Sequence, residues 1–262
     1  MKFHRINALL IRHLYLYKRS FPRIMDVVYW PLMEILIWGF LSVYIEKLNL
    51  GGWNAVTVLL GAVIFWDLLN QSQKAVSIAF LEEIWEKNLL NIFVTPLKVS
   101  EFLSASALIG FVRISLVGVI ISALAYLFYH FNIFMIGFAL VPFVLNLFIF
   151  GWGLGLFANA IILRFGTSAQ ILAWGFITLI QPFSAVFYPV SVLPALLQPL
   201  AYLLPSTYVL EGMRSVLATG VLPEGLLIGA FISNAIYLSL FVWFFYRMFA
   251  HVKRVGRLLK LD

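Results

Sequence analysis

The stretch Glu82 to Glu101, EEIWEKNLLNIFVTPLKVSE, decides how the rest of this chain is read. It is a short segment of mixed polarity with long apolar runs on both sides. If Trp85 to Thr95 is helical, Trp85, Leu89, Ile92 and Phe93 share one arc of about 100°. Lys87, Asn88, Asn91 and Thr95 then occupy the opposite side. Pro96 stops the helix, because its ring clashes with the preceding turn and it has no N–H to donate. A two-faced helix of about three turns is too short to cross a bilayer. It belongs at a surface, where it can touch lipid or another protein, and its spacing leaves both open.

The flanking runs set the class. The chain is 63% hydrophobic and 11% charged, with a mean hydropathy of +1.00, far from a soluble domain. Apolar runs long enough to span a bilayer recur, which reads as an all-α, polytopic membrane protein. The period-2 alternation of a membrane β-barrel is absent. With no cysteine, disulfides, thiol catalysis and thiolate metal sites are excluded. The net charge of +7 is not a nucleic-acid signal, since the basic residues sit at span ends rather than in a stripe.

Taken in order, Phe3 to Ser20 patterns as an amphipathic helix, and residues 1–24 are expected to lie in the headgroup layer. Phe3, Ile6, Leu10, Leu14 and Tyr17 share one face, while Arg5, Arg12 and Arg19 recur every seven residues toward anionic lipid. No small-residue cleavage site follows, so a signal peptide is not expected. Spans are expected at Val27–Tyr44, Ala55–Val76, Leu108–Tyr129, Phe134–Leu163, Ser168–Phe187 and Gly225–Tyr246. A basic tail covers Arg247 to Asp262. Residues 188–221 are apolar enough for a seventh span, but Pro189, Pro194, Pro199 and Pro205 interrupt them.

Charge placement chooses between the counts. With six spans and the N-terminus inside, six Lys/Arg precede the first span, three lie in 74–101, one is Arg164 and five are in the tail, all on the inner side. Only Lys47 and Arg214 fall outside, with Arg113 in or beside the third span. A seventh span would export the basic tail, against the positive-inside rule. Residues 188–221 are therefore expected to dip into the outer leaflet and return, as a helical pair packed on protein or lining a watery cavity. No internal repeat of the kind common in secondary transporters stands out.

Few residues could carry chemistry. No phosphate-binding G-x-x-x-x-G-K-[ST] loop, H-E-x-x-H or G-x-S-x-G occurs, and His4, His13, His130 and His251 lie at termini or span ends. The chain is expected to be non-catalytic, binding no cofactor or metal itself. Glu34, Asp67 and Arg113 fall within or near spans, where charge is costly and marks a path or a pairing; Arg113 is also close enough to the interface to snorkel. Gly151 and Gly155 allow close helix approach, to a neighbouring span or a second copy. Gln181-Pro182 breaks the fifth span. Glu211 and Arg214, three apart, can pair on a helix.

Two of these stretches resemble a known family. Glu86 to Leu97, EKNLLNIFVTPL, is similar to the cytoplasmic loop of the type-2 ABC exporter permeases, where an acidic residue precedes Gly-Thr-Leu and Thr-Pro closes the motif. Lys87 and Asn88 stand here where Gly-Thr is usual. Pro182 to Arg214, PFSAVFYPVSVLPALLQPLAYLLPSTYVLEGMR, resembles the family's outer region, with Tyr-Pro, Leu-Pro, Pro-x-Thr-Tyr and Glu-x-x-Arg in order. The resemblance covers nearly the whole chain and implies a single permease domain over residues 1–262 in the inner cell membrane, both termini cytoplasmic. It implies dimerisation with a second copy or a related permease. Two separate cytoplasmic ATPase subunits would carry the ATP and Mg, with 82–101 seated in them as the coupling loop. By position, Trp85, Glu86, Leu89, Leu90, Phe93, Thr95 and Pro96 match that loop, and Tyr188, Pro189, Pro194, Pro205, Thr207, Tyr208, Glu211 and Arg214 match the outer gate. Family members export drugs, lipids and lipid-linked glycans. An ion-gradient-driven carrier using Asp67 and Glu34, and a scaffold with no path, are the competing readings.

Overall fold

The computed structural model describes residues 1–48 and 55–256, and every regular element among them is helical. In chain order these are α1 (Phe3–Arg19), α2 (Phe21–Lys47), α3 (Ala55–Trp85), α4 (Leu89–Val94) and α5 (Val99–Tyr129). They are followed by α6 (Leu140–Phe165), α7 (Leu172–Ile180), α8 (Gln198–Ala201), α9 (Pro205–Thr219) and α10 (Glu224–Val255). Among the described residues, four segments are long and apolar enough to cross a membrane: Phe21–Lys47, Val99–Tyr129, Ile133–Ala169 and Glu224–Val255.

The other two expected spans fall on α3 and α7. At 31 residues, α3 is about 46 Å long, but Asp67, Asn70, Gln71, Gln73 and Lys74 dilute its apolar character. It is the central post, packed against α2, α5, α6 and α7, with almost every residue from Leu59 to Gln73 buried. By contrast α7 has nine residues, and the expected Ser168–Phe187 span is divided between it and 3-10 turns at Gly166–Ala169 and Gln181–Phe183. The proline at position 182 cannot continue the ladder, so the chain tightens there.

Close approach and polar cross-links hold α3 in place. A Cβ on Gly151 would stand 2.6 Å from the Leu69 carbonyl oxygen, and one on Gly155 2.9 Å from that of Gln73. The two glycines thus serve packing within the chain, letting α6 lie against α3 backbone to backbone. Ser72 donates to Phe148 O at 2.9 Å, and Gln73 and Ser77 donate to Ala173 O at 3.0 and 2.6 Å. Asn234 of α10 donates to Asn146 Oδ1 of α6 at 2.7 Å. In hydrocarbon these groups have no water to turn to, so each bond also fixes a helix rotation.

Several boundaries differ from the sequence pattern. Beyond Val76, α3 continues nine residues to Trp85, so the expected helix Trp85–Thr95 is two pieces. Lys87 takes a left-handed φ of 52°, and Asn88 N bonds back to Glu83 O at 2.9 Å, ending α3 before α4 begins. Phe134–Leu163 divides likewise, because Gly137 (φ 64°) kinks the chain between a 3-10 stretch and α6. The expected outer helical pair is unequal, four residues of α8 against fifteen of α9. Half of the basic tail is the end of α10, while residues 257–262 lie outside the described residues.

Candidate functional site

One end of the bundle gathers α1, the start of α2, the end of α3, α4 and the start of α5. Leu89 and Ile92 are buried, and the Phe93 ring lies 5.6 Å from Phe102 and 4.6 Å from Phe249. The apolar face expected to meet a partner is therefore turned onto the chain's own α5 and α10. What α4 and its flanks leave outside is another set: Trp85, Glu86, Lys87, Asn91, Val94, Thr95 and Pro96, with Val94 76% exposed. Trp85 sits on α3 rather than on α4, its indole N–H donating to Gln170 Oε1 at 3.4 Å beside Trp174. The Leu90 side chain lies outside the described residues. Thr95 caps the end of α4, its hydroxyl donating to Ile92 O at 2.6 Å.

A lattice of ion pairs ties this corner to the N-terminus. Arg12 meets Glu83 with both Nη atoms, one bond 3.1 Å, and reaches Glu86 at 3.9 Å. Arg23 grips Glu82 through Nε and Nη2 and comes within 3.8 Å of Glu86. Arg5 donates to the Pro96 carbonyl and to Glu101, which also accepts from the Lys2 and Lys98 backbone N–H groups at 2.7 and 3.0 Å. Two arginines expected to face anionic lipid, Arg5 and Arg12, thus face protein carboxylates, because the glutamates at 82, 83, 86 and 101 come to the same level. The hydrogen bond to Glu83 holds the Arg12 guanidinium above its ordinary pKa. Burial pushes the neighbouring His13 imidazole down to about 4, against the opposing pull of Glu83.

Deeper in the bundle, Arg113 does not snorkel. It is buried, donating to Asp26 at 2.5 Å, Tyr17 Oη at 2.7 Å and Gln71 Oε1 at 3.0 Å, so α5 is pinned to α1, α2 and α3 at once. Asp67 is buried on α3, with Oδ1 accepting from Gln71 at 3.4 Å and Oδ2 without a hydrogen-bond partner. The charges of Glu34, Lys74 and Arg113 all act on it. Among the described residues no group of three or more His, Cys, Asp or Glu is placed to hold a metal.

At the opposite end, the stretch before α9 is clamped from α9 itself. Arg214 donates to the Ala185 carbonyl, to Val186 O at 2.6 Å and to Glu211 at 3.2 Å, while Glu211 accepts from Val190 N at 2.7 Å. The pair is a brace for residues 184–190 rather than a solvated surface pair. Tyr188 donates to Pro182 O at 2.5 Å, Thr207 to Phe183 O at 3.5 Å, and Tyr208 lies over Gly229 of α10. Pro205 opens α9, where its missing N–H costs nothing, and Pro189 and Pro194 stand exposed in the loop before it.

The model for the ABC-2 type transporter membrane family matches residues 5–218. The chain belongs to the ABC-2 type transporter family. No curated protein matches it. As an ABC-2 permease it is the membrane transport component of an ABC transporter and works with ABC ATPase subunits.

Sequence reasoning missed Arg12, Arg23, Glu82, Glu83 and Glu86 as a connected set, and Asp26 as the partner of Arg113. The available signal was stoichiometric: a cation-rich N-terminus and an acid-rich 82–101 stretch, both assigned to the same side of the membrane.

Proposed function

We propose that this ABC-2 permease is an exporter subunit that forms the translocation path and is driven by two separate ATPase subunits, which hold the ATP and Mg. In this reading α2, α3, α5, α6, α7 with its flanking turns, and α10 are the six spans, with both termini on the cytoplasmic side of the inner membrane. The permease pairs with a second copy or a related chain. Its cargo is a drug, a lipid or a lipid-linked glycan. The exposed edge Trp85, Glu86, Asn91, Val94, Thr95 and Pro96 meets the ATPase, and Leu89 and Phe93 transmit the motion inward to α5 and α10. The stretch 188–221 closes the outer mouth.

One observation carries the coupling assignment. Glu86, half exposed at the turn between α3 and α4, lies within 4 Å of both Arg12 and Arg23. A push on α4 is therefore felt by α1, α2 and α3 together, rather than by one loose loop. The test is Val94→Asp, which charges the exposed edge without touching the packed face. Loss of the co-purifying ATPase from a monodisperse permease is the expected result. Retained association with full ATP-driven transport, or transport into sealed vesicles by the permease without nucleotide, would overturn the assignment.

A further inference from the structure

Of the six Lys/Arg in residues 1–26, Arg5, Arg12 and Arg23 are engaged by the chain's own carboxylates. Lys18 and Arg19, in the last turn of α1, are exposed and have no acidic partner among the described residues. Two adjacent unneutralised cations at the α1–α2 elbow are unusual in a corner where every other arginine is paired.

Beside Lys18, and one residue from Arg19, a cleft of about 270 Å³ opens between α1, α2 and α5. Its walls include Leu14, Ile24, Val28, Val112 and Leu116, with the exposed Lys18 among them. His13, Tyr17 and Arg113 also reach it, but Tyr17 and Arg113 are bonded to each other, and Arg113 further to Asp26 and Gln71. The cleft is thus hydrocarbon-walled with a free positive charge at one side. A free phosphate would find the cation and leave the walls unused; an acyl chain under an anionic headgroup uses both.

We propose that the α1–α2 elbow binds one anionic glycerophospholipid of the leaflet in which α1 lies, its acyl chain in this cleft and its phosphate against Lys18 and Arg19. The site would register the headgroup charge of the membrane at the helix that braces the α3–α4 turn. It rests on α1 lying at the membrane surface, and not on the identity of the ATPase or the cargo.

The full chain is reconstituted in equimolar phosphatidylcholine and phosphatidylglycerol, extracted into mild detergent and weighed with its retained lipid by native mass spectrometry. Each surface Lys or Arg contributes roughly a fivefold preference for an anionic lipid, so phosphatidylglycerol should be retained at least about tenfold over phosphatidylcholine. Lys18→Glu with Arg19→Glu should erase that preference, and Val28→Trp, which fills the cleft, should lower retention of both lipids. Leu116→Trp, at a half-exposed wall position, serves if Val28→Trp does not fold. Equal retention of the two lipids by the unaltered chain overturns the proposal, as does undiminished retention by a folded cleft-filled variant, which would mean surface attraction alone. Because the readout is bound lipid, the site can stand even if the ATPase docks elsewhere.

Discussion

Arg23, three residues into α2, grips Glu82, in the last turn of α3, through paired hydrogen bonds of 3.1 and 3.0 Å. Fork-to-fork geometry of this kind is directional as well as strong, so it sets the angle between two helices that have no short connection at this end. With Arg12 on Glu83 one residue further, α1 and α2 hold the end of α3 from two sides.

Reversing one charge in this lattice should therefore cost more than a surface pair does. Glu83 is 3% exposed, so Arg12→Glu leaves a carboxylate buried opposite another. The expected loss is about 2–3 kcal/mol, below the range for a fully buried pair because Arg12 is partly solvated. Thermal unfolding in detergent measures it, and Arg12→Glu combined with Glu83→Arg should recover more than half. A double variant no better than Arg12→Glu alone would show that the pair is incidental.

The same corner predicts a pH dependence. His13 is buried, with the charges of Glu83, Arg12 and Arg23 acting on it, and burial chiefly sets its folded pKa near 4 against 6.5 ordinarily. The unfolded chain therefore takes up a proton at higher pH than the folded one. Stability is full above about pH 6.5 and is lost as pH falls toward 4, by at most about 3 kcal/mol. The unaltered chain should lose thermal stability between pH 7 and pH 5 faster than His13→Leu does. Parallel curves for the two would remove His13 as the cause.

How much of this was legible in the sequence depends on whether a pattern names its own partner. Gly151 and Gly155 announced a close helix contact, and Pro96, Pro182 and Pro205 announced breaks, because those are properties of single residues. The apolar arc of Leu89, Ile92 and Phe93 announced burial but not against what; a helix facing its own bundle and one facing a partner share one periodicity. The pairings of Arg12 with Glu83 and Arg23 with Glu82 span 71 and 59 residues, beyond any local rule. Val94, exposed at the end of α4, drew no notice because it falls off the arc.

Packing at the glycines gives a sharper contrast. On Gly151 a Cβ would press on the Leu69 carbonyl oxygen at 2.6 Å, which backbone cannot yield, whereas on Gly175 it would meet only Ile171 Cγ1 at 3.5 Å. Gly151→Ala is expected to destabilise by about 1–3 kcal/mol, and Gly175→Ala to be neutral or slightly stabilising. Thermal unfolding of the two variants side by side checks this. Equal midpoints would mean that α6 and α3 are not in backbone contact.

The Arg214–Glu211 brace predicts a difference between two conservative changes at one pair. The Arg214 guanidinium serves two carbonyls and a carboxylate at once, a spread that the single ammonium of lysine cannot cover. Arg214→Lys should leave Ala185 O or Val186 O without its donor, costing about 1–3 kcal/mol. Glu211→Gln keeps an oxygen for Val190 N and for Arg214, and loses only the charge, so it should cost about half as much. Ala185, at φ 53°, holds a left-handed conformation that a non-glycine residue adopts only under such constraint. Releasing the brace should therefore let residues 184–190 relax, seen as faster amide hydrogen exchange there with α9 still protected. Exchange unchanged in Arg214→Lys would place the restraint in Tyr188 and Pro189 instead, and Glu211→Gln faster than Arg214→Lys would reverse the order of the pair.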